Sequence, residues 1–281
     1  MKGVRNMLTN EELKAIKALQ EICESIDTCQ LKLNFDMLEN RSGNTKEDYF
    51  HYEKDKLVGF LGSYGFGNKV EICGMVHPSY RRKGIFSRLL TECMKDLKRR
   101  NVHTILLNAP SESQSAKDFL RNQSCSFFMS EYQMMWQNTE LSLDDGVVLR
   151  TSDSPADLEA EVQLDILAFG LEEKEAREYN NHLKESNTEQ HYIIEVNGTT
   201  AGKMRVAESN GEAWIYGLAI FPELQGKGIG RKALSRIIKM ESQKGLPIFL
   251  EVEAKNAHAL KLYQSCGFRS YHSQDYYKYQ N

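Results

Sequence analysis

The chain has 281 residues, 41% hydrophobic and 27% charged with only 5 prolines, the make-up of a folded protein long enough for two compact units with separate cores. Its 36 basic and 39 acidic residues leave a formal net charge of -3, which excludes a nucleic-acid binder that works by broad phosphate neutralisation. No run approaches the ~20 apolar residues of a membrane helix, the opening MKGVRNMLTNEELKAI has no apolar signal core, and the scattered cysteines form no C-x-x-C pair. The expectation is a cytoplasmic protein with reduced buried thiols, no metal, no membrane and no nucleic acid.

In chain order, the first half opens with helices. Strands are predicted at YFHYEKD, KLVGFLGSYGF and VEICGMV, then a helix through LLTECMKDLKRR, a strand at TILLNA and a last one in MSEYQMMWQ; no opening strand is evident. The second half gives a strand in GVVLRTSD and two helices, SPADLEAEVQLDILAFG and EEKEAREYNNHLKES, the first opened by a Ser or Asp cap with Pro just inside. Strands HYIIEV and AGKMRVAE flank the turn Asn197-Gly198, a pair that supplies the positive φ of a tight hairpin. The strand AWIYGLAIF, a helix from about Gly228 to Lys244, the strand IFLEVE, a helix from Asn256 to about Ser265 and a hairpin in FRSYHSQDYYKY complete a βααβββαβαββ order.

The chain says one thing twice. Aligning Arg81 with Gln225, an offset of 144 (225 − 81), sets Pro78, Lys83, Gly84, Ile85 and Leu90 on Pro222, Lys227, Gly228, Ile229 and Leu234. That period is too long for a solenoid unit of about 20–50 residues. It implies two copies of a domain, 1–138 and 146–281, joined in NTELSLDDG.

In the second copy a strand ends at Phe221-Pro222 and three glycines, Gly226, Gly228 and Gly230, precede a helix. Backbone N–H groups at such a start have no intrahelical partner and form an anion site, to which Lys227, Arg231 and Lys232 add charge. The plain alternative is a glycine-rich turn before an amphipathic helix. The dinucleotide fingerprint fails because Arg231 stands where its third glycine belongs, and the P-loop spelling fails as well. What remains is Q-x-x-G-x-G, and downstream L-E-V-x-x-x-N-x-x-A-x-x-L-Y-x-x-x-G-F, met by Leu250, Glu251, Val252, Asn256, Ala259, Leu262, Tyr263, Gly267 and Phe268.

With these two motifs in order, the chain resembles the GNAT (GCN5-related N-acetyltransferase) superfamily, and its second copy is similar to the branch that acetylates protein N-termini, ribosomal-protein alanine acetyltransferases included. The resemblance implies an α+β fold of two tandem GNAT-type domains, each a mixed central sheet flanked by helices. It implies acetyl-CoA as cosubstrate, held by Leu218, Ala219 and Ile220 of a splayed strand, by Gln225, Gly226, Lys227, Gly228, Ile229, Gly230 and Arg231 of the loop, and by Asn256, which also caps its helix. Tyr263 matches the family's general acid and Glu251 the general base. Strand alternation puts Glu253 on the same face as Glu251, so it stays open as the base. The plain readings are a core aromatic for Tyr263 and a solvated edge carboxylate for Glu251.

In the first copy the loop reads Arg81-Arg82-Lys83-Gly84-Ile85-Phe86, with a large side chain at the last small position. Aligning Phe127 with Phe268 (offset 141) puts Asn122 under Tyr263 and Ser115 under Asn256, and either offset leaves Leu107 or Pro110 under Glu251. The expectation is a degenerate first domain and an N-acetyltransferase site in the second, acting by direct attack of a primary amine on a small molecule or peptide. The alternative is a non-catalytic acyl-CoA-binding sensor or an interaction scaffold.

Overall fold

The computed structural model describes residues 7–41, 43, 45–66, 69–141, 145–209 and 211–280. Two compact units emerge, one within Met1–Ser130 and His272–Asn281, the other within Glu131–Tyr271.

In the first unit, α1 (Asn10–Asp27) begins at Thr9, whose hydroxyl accepts from the Glu12 N–H at 3.2 Å while the Glu12 carboxylate accepts from the Thr9 N–H at 2.9 Å. After α2 (Phe35–Glu39) come β1 (Asp48–Glu53), β2 (Lys56–Phe66), β3 (Lys69–Val76), α3 (Ile85–Arg99), β4 (Thr104–Pro110), α4 (Gln114–Leu120) and β5 (Cys125–Trp136). The sheet order is β1-β2-β3-β4-β11, where β11 is Phe268–Tyr279, and only β3 and β4 pair in parallel. Both faces are covered. Leu89, Cys93 and Leu97 of α3 pack on Val58, Ile72 and Leu107, and Ile16, Leu19 and Cys23 of α1 pack on the opposite face with Phe60, Tyr64 and Met75. No strand precedes α1 among the described residues.

The second unit contains β6 (Val148–Thr151), α5 (Pro155–Phe169), α6 (Glu173–Ser186), β7 (Glu189–Val196), β8 (Thr199–Ser209), β9 (Glu212–Ile220), α7 (Ile229–Gln243), β10 (Ile248–Glu253) and α8 (Ala257–Ser265). Its sheet order is β5-β10-β9-β8-β7-β6, mixed again, with β9 and β10 parallel. On one face Ala233, Leu234, Ile237 and Ile238 of α7 pack on Met204, Ile215 and Leu250. On the other, α5 and α6 cover β7, β8 and β9 over buried polar groups: Lys203 Nζ lies 2.6 Å from Asp165 Oδ1, and Asn180 Nδ2 donates to Asp165 Oδ2 at 2.6 Å. A buried ion pair of this kind costs desolvation, so its contribution is geometry more than net stability. Asn197 (φ 51°) and Gly198 (φ 74°) both adopt positive φ in the β7–β8 turn, as their spelling demands.

Two boundaries differ from the sequence reading. The predicted hairpin in FRSYHSQDYYKY is one continuous strand of 12 residues, β11. Its middle cannot turn because Gln274 is buried, faces Pro110 across the ladder and donates from Nε2 to Gln30 O at 2.9 Å. Nor do the compact units follow the repeat, expected as 1–138 and 146–281. The strand β5 passes into the second unit at Glu131 and pairs with β10, while β11 passes into the first at His272 and pairs with β4. Each repeat thus contributes its final strand to the other unit's sheet, where Met134 and Tyr276 are fully buried. Residues 142–144 of the expected joint lie outside the described residues.

At α5, Ser154 accepts from the Asp157 N–H at 3.1 Å and Pro155 stands at the first helical position. The Arg150 guanidinium grips the buried Asp157 through two bonds of 2.8 and 2.7 Å and, with the cap, holds its carboxyl well below the usual range. A depressed folded pKa stabilises at neutral pH and the stabilisation is lost as pH falls below about 4. Replacing Asp157 by Asn is expected to lower stability by about 2 kcal/mol at pH 7. Urea unfolding across pH should show the gap to wild type closing as the pH drops below about 4.

Candidate active site

The strands β9 and β10 pair at Ala213–Ile248, Trp214–Phe249 and Ile215–Leu250, and there the ladder stops although β9 runs on to Ile220 and β10 to Glu253. Past that point β9 keeps its other edge bonded to β8. Beyond Ile215 no further residue pair joins β9 to β10 among the described residues, so the two strands part there. Leu218 and Ile220 pack on the α7 side of the sheet, and Ala219 is buried.

Beyond Ile220 a short 3₁₀ turn over Pro222–Leu224 leads into the glycine loop. Gln225 Nε2 donates to Ile220 O at 2.9 Å, so this side chain shapes the turn. Gly226 (φ 75°) and Gly228 (φ 76°) are left-handed, and a Cβ at either would meet nothing within 4 Å, so glycine is needed there for conformation. The first helical N–H to find a partner within α7 is that of Lys232, on Gly228 O at 3.1 Å. The preceding groups, through Ile229, Gly230 and Arg231, form the anion-binding end of a helix, with exposed Lys227 and Arg231 beside them. A Cβ on Gly230 would stand 3.4 Å from Leu262 and 3.7 Å from Ile220, so this position borders α8 and the open end of β9.

The candidate acid and base approach β10 from opposite faces. Leu250 and Val252 face the α7 core, against which Tyr263 of α8 also packs. Tyr263 is half-buried, its ring 6.3 Å from Phe268, and burial pushes its phenol up to about 12. Glu251 alternates with those core residues and emerges half-buried on the other face, where Gln133 Nε2 donates to its Oε1 at 2.9 Å. Glu253 shares that face, exposed, opposite Glu131. Asn256 caps α8, its Oδ1 accepting from the Ala259 N–H at 3.0 Å. Gln133 escaped the sequence reading because it belongs to the first repeat's last strand, and only the strand exchange brings it to Glu251.

The first copy repeats the parting strands and the loop. The pairing of β3 with β4 also ends early, at Ile72–Leu107; Arg82 (φ 64°) and Gly84 (φ 73°) reproduce the left-handed positions; and Arg81 Nε donates to Val76 O at 3.0 Å as Gln225 does to Ile220. The side chains, however, differ. Phe86, in place of Gly230, brings its ring edge to 2.9 Å from where a Cβ on Gly74 of β3 would stand, and Phe119 meets it edge-on at 5.0 Å. The structure also corrects the alignment by sequence. The last ladder pairs, Ile72–Leu107 and Ile215–Leu250, and the helix caps Ser113 and Asn256 share an offset of 143 (250 − 107; 256 − 113). Asn108 then underlies Glu251, and Leu120 underlies Tyr263, in place of Asn122. Neither substitute can serve as a carboxylate base or a phenolic acid.

The profile of the acetyltransferase (GNAT) family matches the chain twice, at residues 13–124 and 159–268. Among curated proteins, the chain is 25% identical over 241 residues to a mycothiol acetyltransferase of Saccharomonospora viridis, covering 76% of this chain and 77% of that protein. It is 40% identical over 58 residues to the [ribosomal protein bS18]-alanine N-acetyltransferase of Salmonella typhimurium, 20% of this chain and 39% of the relative, so the match spans less than half of that relative's length. Among solved structures, a GCN5-related N-acetyltransferase from Sphaerobacter thermophilus superposes with a TM-score of 0.77 at 17% identity, over 97% of this chain and 94% of that one. A tandem GNAT protein from the clavulanic acid biosynthesis pathway gives 0.69 at 14% identity over 97% and 96%. With two matches that together span most of its length and a fold shared with tandem members, the chain belongs to the acetyltransferase (GNAT) family.

Proposed function

We propose that the protein transfers an acetyl group from acetyl-CoA to a primary amine at a single site, in the second copy. The observation that carries this reading is the contrast between copies: Gly230, Tyr263 and Glu251 stand about the parting strands in one, and Phe86, Leu120 and Asn108 at the equivalent positions in the other. The residues fit the coenzyme chemically. The N–H groups and cations at the start of α7 suit a pyrophosphate, and the place where β9 parts from β10 suits an extended pantetheine arm. The named relatives acetylate a ribosomal protein's alanine or bear the name mycothiol acetyltransferase. A small molecule or peptide amine is therefore the acceptor class.

In this reading Glu251 takes a proton from the attacking amine as the C–N bond forms. Gln133 orients the carboxylate by donating a hydrogen bond to its Oε1. As the C–S bond breaks, Tyr263 gives its proton to the departing sulfur. A thiolate forming in the same apolar surroundings loses the hydration that lowers its basicity, so a phenol near 12 still serves as its acid. No covalent enzyme intermediate is required. A sensor or scaffold would have no use for an acid and a base placed on opposite faces of one strand.

Calorimetric titration of acetyl-CoA tests the assignment. We expect about one equivalent bound, and loss of that binding in a folded Gly230→Phe variant that copies Phe86. An absence of binding by the wild type would overturn the enzyme reading, and two equivalents would overturn the single site. Steady-state kinetics tests the chemistry: Tyr263→Phe should lower kcat by about 10²–10⁴-fold with coenzyme affinity nearly intact. Because burial keeps the Tyr263 proton on up to about pH 12, kcat should show no alkaline fall from this group at pH 10. Glu251→Gln should reduce turnover to a similar extent; unchanged turnover would transfer the base to Glu253.

A further inference from the structure

We infer that Arg205 is a positioning residue for acetyl transfer, one that locks a kink in β9 at the place where β9 leaves β10; the inference rests on the reading above. Across the β8–β9 ladder, Lys203 faces Ala219 and Arg205 faces Tyr216, so one residue of β8, Met204, spans two of β9, Gly217 and Leu218. That is a β-bulge, which bends the strand and increases its twist. It begins two residues past Ile215, the last residue of β9 paired to β10. The divergence of the strands and the bulge are thus one local event.

Arg205 is built into it. Gly217 has φ 59°, and a Cβ there would stand 3.3 Å from Arg205 Nε and 3.4 Å from Nη2, so the guanidinium lies flat against the bulged residue. The guanidinium itself is held on every side. Nη1 donates to Glu189, Nη2 donates to Tyr179 Oη at 3.1 Å, and its carbon lies 5.5 Å from the Tyr179 ring and 5.9 Å from the Tyr216 ring. Arg205 is 7% exposed. A planar, always charged group in this setting clamps the bulge to α6 and β7 in a way that a flexible ammonium would not.

The first copy supplies the control. Its β2–β3 ladder runs from Gly59–Val76 through Gly62–Cys73 without a shift, so it has no bulge, and the residue in the place of Arg205 is Gly62 (205 − 143). Tyr64 turns its hydroxyl into that space, 2.6 Å from where a Cβ on Gly62 would be. The one-residue difference also accounts for the change of offset between the copies, from 143 at Ile72 and Ile215 to 144 at Gly84 and Gly228. The copy that retains an acid and a base has the bulge and its arginine; the copy that lost them has neither. Arg205 thereby fixes which amide groups of Gly217 and Leu218 face the gap.

The test uses the full chain with Arg205→Met, Arg205→Lys and Gly217→Ala, the last placing a methyl group against the guanidinium. We expect kcat to fall about 100-fold in Arg205→Met and Gly217→Ala, while the coenzyme dissociation constant stays within about threefold of wild type. Arg205→Lys should not rescue turnover. Hydrogen exchange at the Gly217 and Leu218 amides, followed by NMR without any substrate, should quicken in all three. Wild-type turnover in a folded Arg205→Met variant, or unchanged exchange at both amides, would overturn the inference. A wild-type protein that neither binds acetyl-CoA nor acetylates any amine would instead overturn the function proposed above, and the exchange experiment would still decide the role of Arg205.

Discussion

Three residue pairs hold β9 to β10, and the arrangement of the candidate site follows from the ladder stopping after the third, Ile215–Leu250. Beyond that pair the two strands part, and the candidate site residues are arranged about the point of divergence. The glycine loop stands at its far end, Tyr263 reaches it through the core on one face, and Glu251 approaches from the other, oriented by Gln133. In the function proposed above, an acid and a base on opposite sides of one strand would let a thioester between them lose sulfur on one side and gain nitrogen on the other.

The first unit keeps the loop and the parting of the strands with different side chains about them. Its strands still part after the equivalent pair, its loop keeps the same left-handed positions and its helix begins in the same way. Beside the opening Phe86 packs against Gly74 and Phe119 against Phe86. Buried aromatic surface stabilises a fold at roughly 25 cal/mol per Å², so the packing of Phe86 and Phe119 is favourable in itself.

Features defined by local spacing were legible in the sequence. The repeat, the glycine loop, the Asn256 cap and the L-E-V to G-F block are short patterns, and their geometry depends on neighbouring residues alone. Features that depend on distant pairing were not. No alignment at one fixed offset could register the copies, because the β9 bulge adds a residue and the segment between α7 and β10 gives it back. Gln133 and Tyr276 read as parts of the repeats that encode them, and only the sheets reveal which unit each one completes. Lys203 and Arg205 did leave a trace, two cations alternating on one side of an apolar strand, which is the pattern of charges buried against partners.

The exchange of strands sets an order on the making of the protein. The first unit holds residues up to Ser130 and then waits for His272 onward, whose strand supplies Tyr276 to its interior. A ribosome adding about 5–20 residues per second needs on the order of ten seconds to cross that interval. Throughout it, β4 is an unpaired edge on a nascent chain. The unit that begins first is completed last, and neither repeat, cut out at the joint between them, would carry a whole sheet of its own.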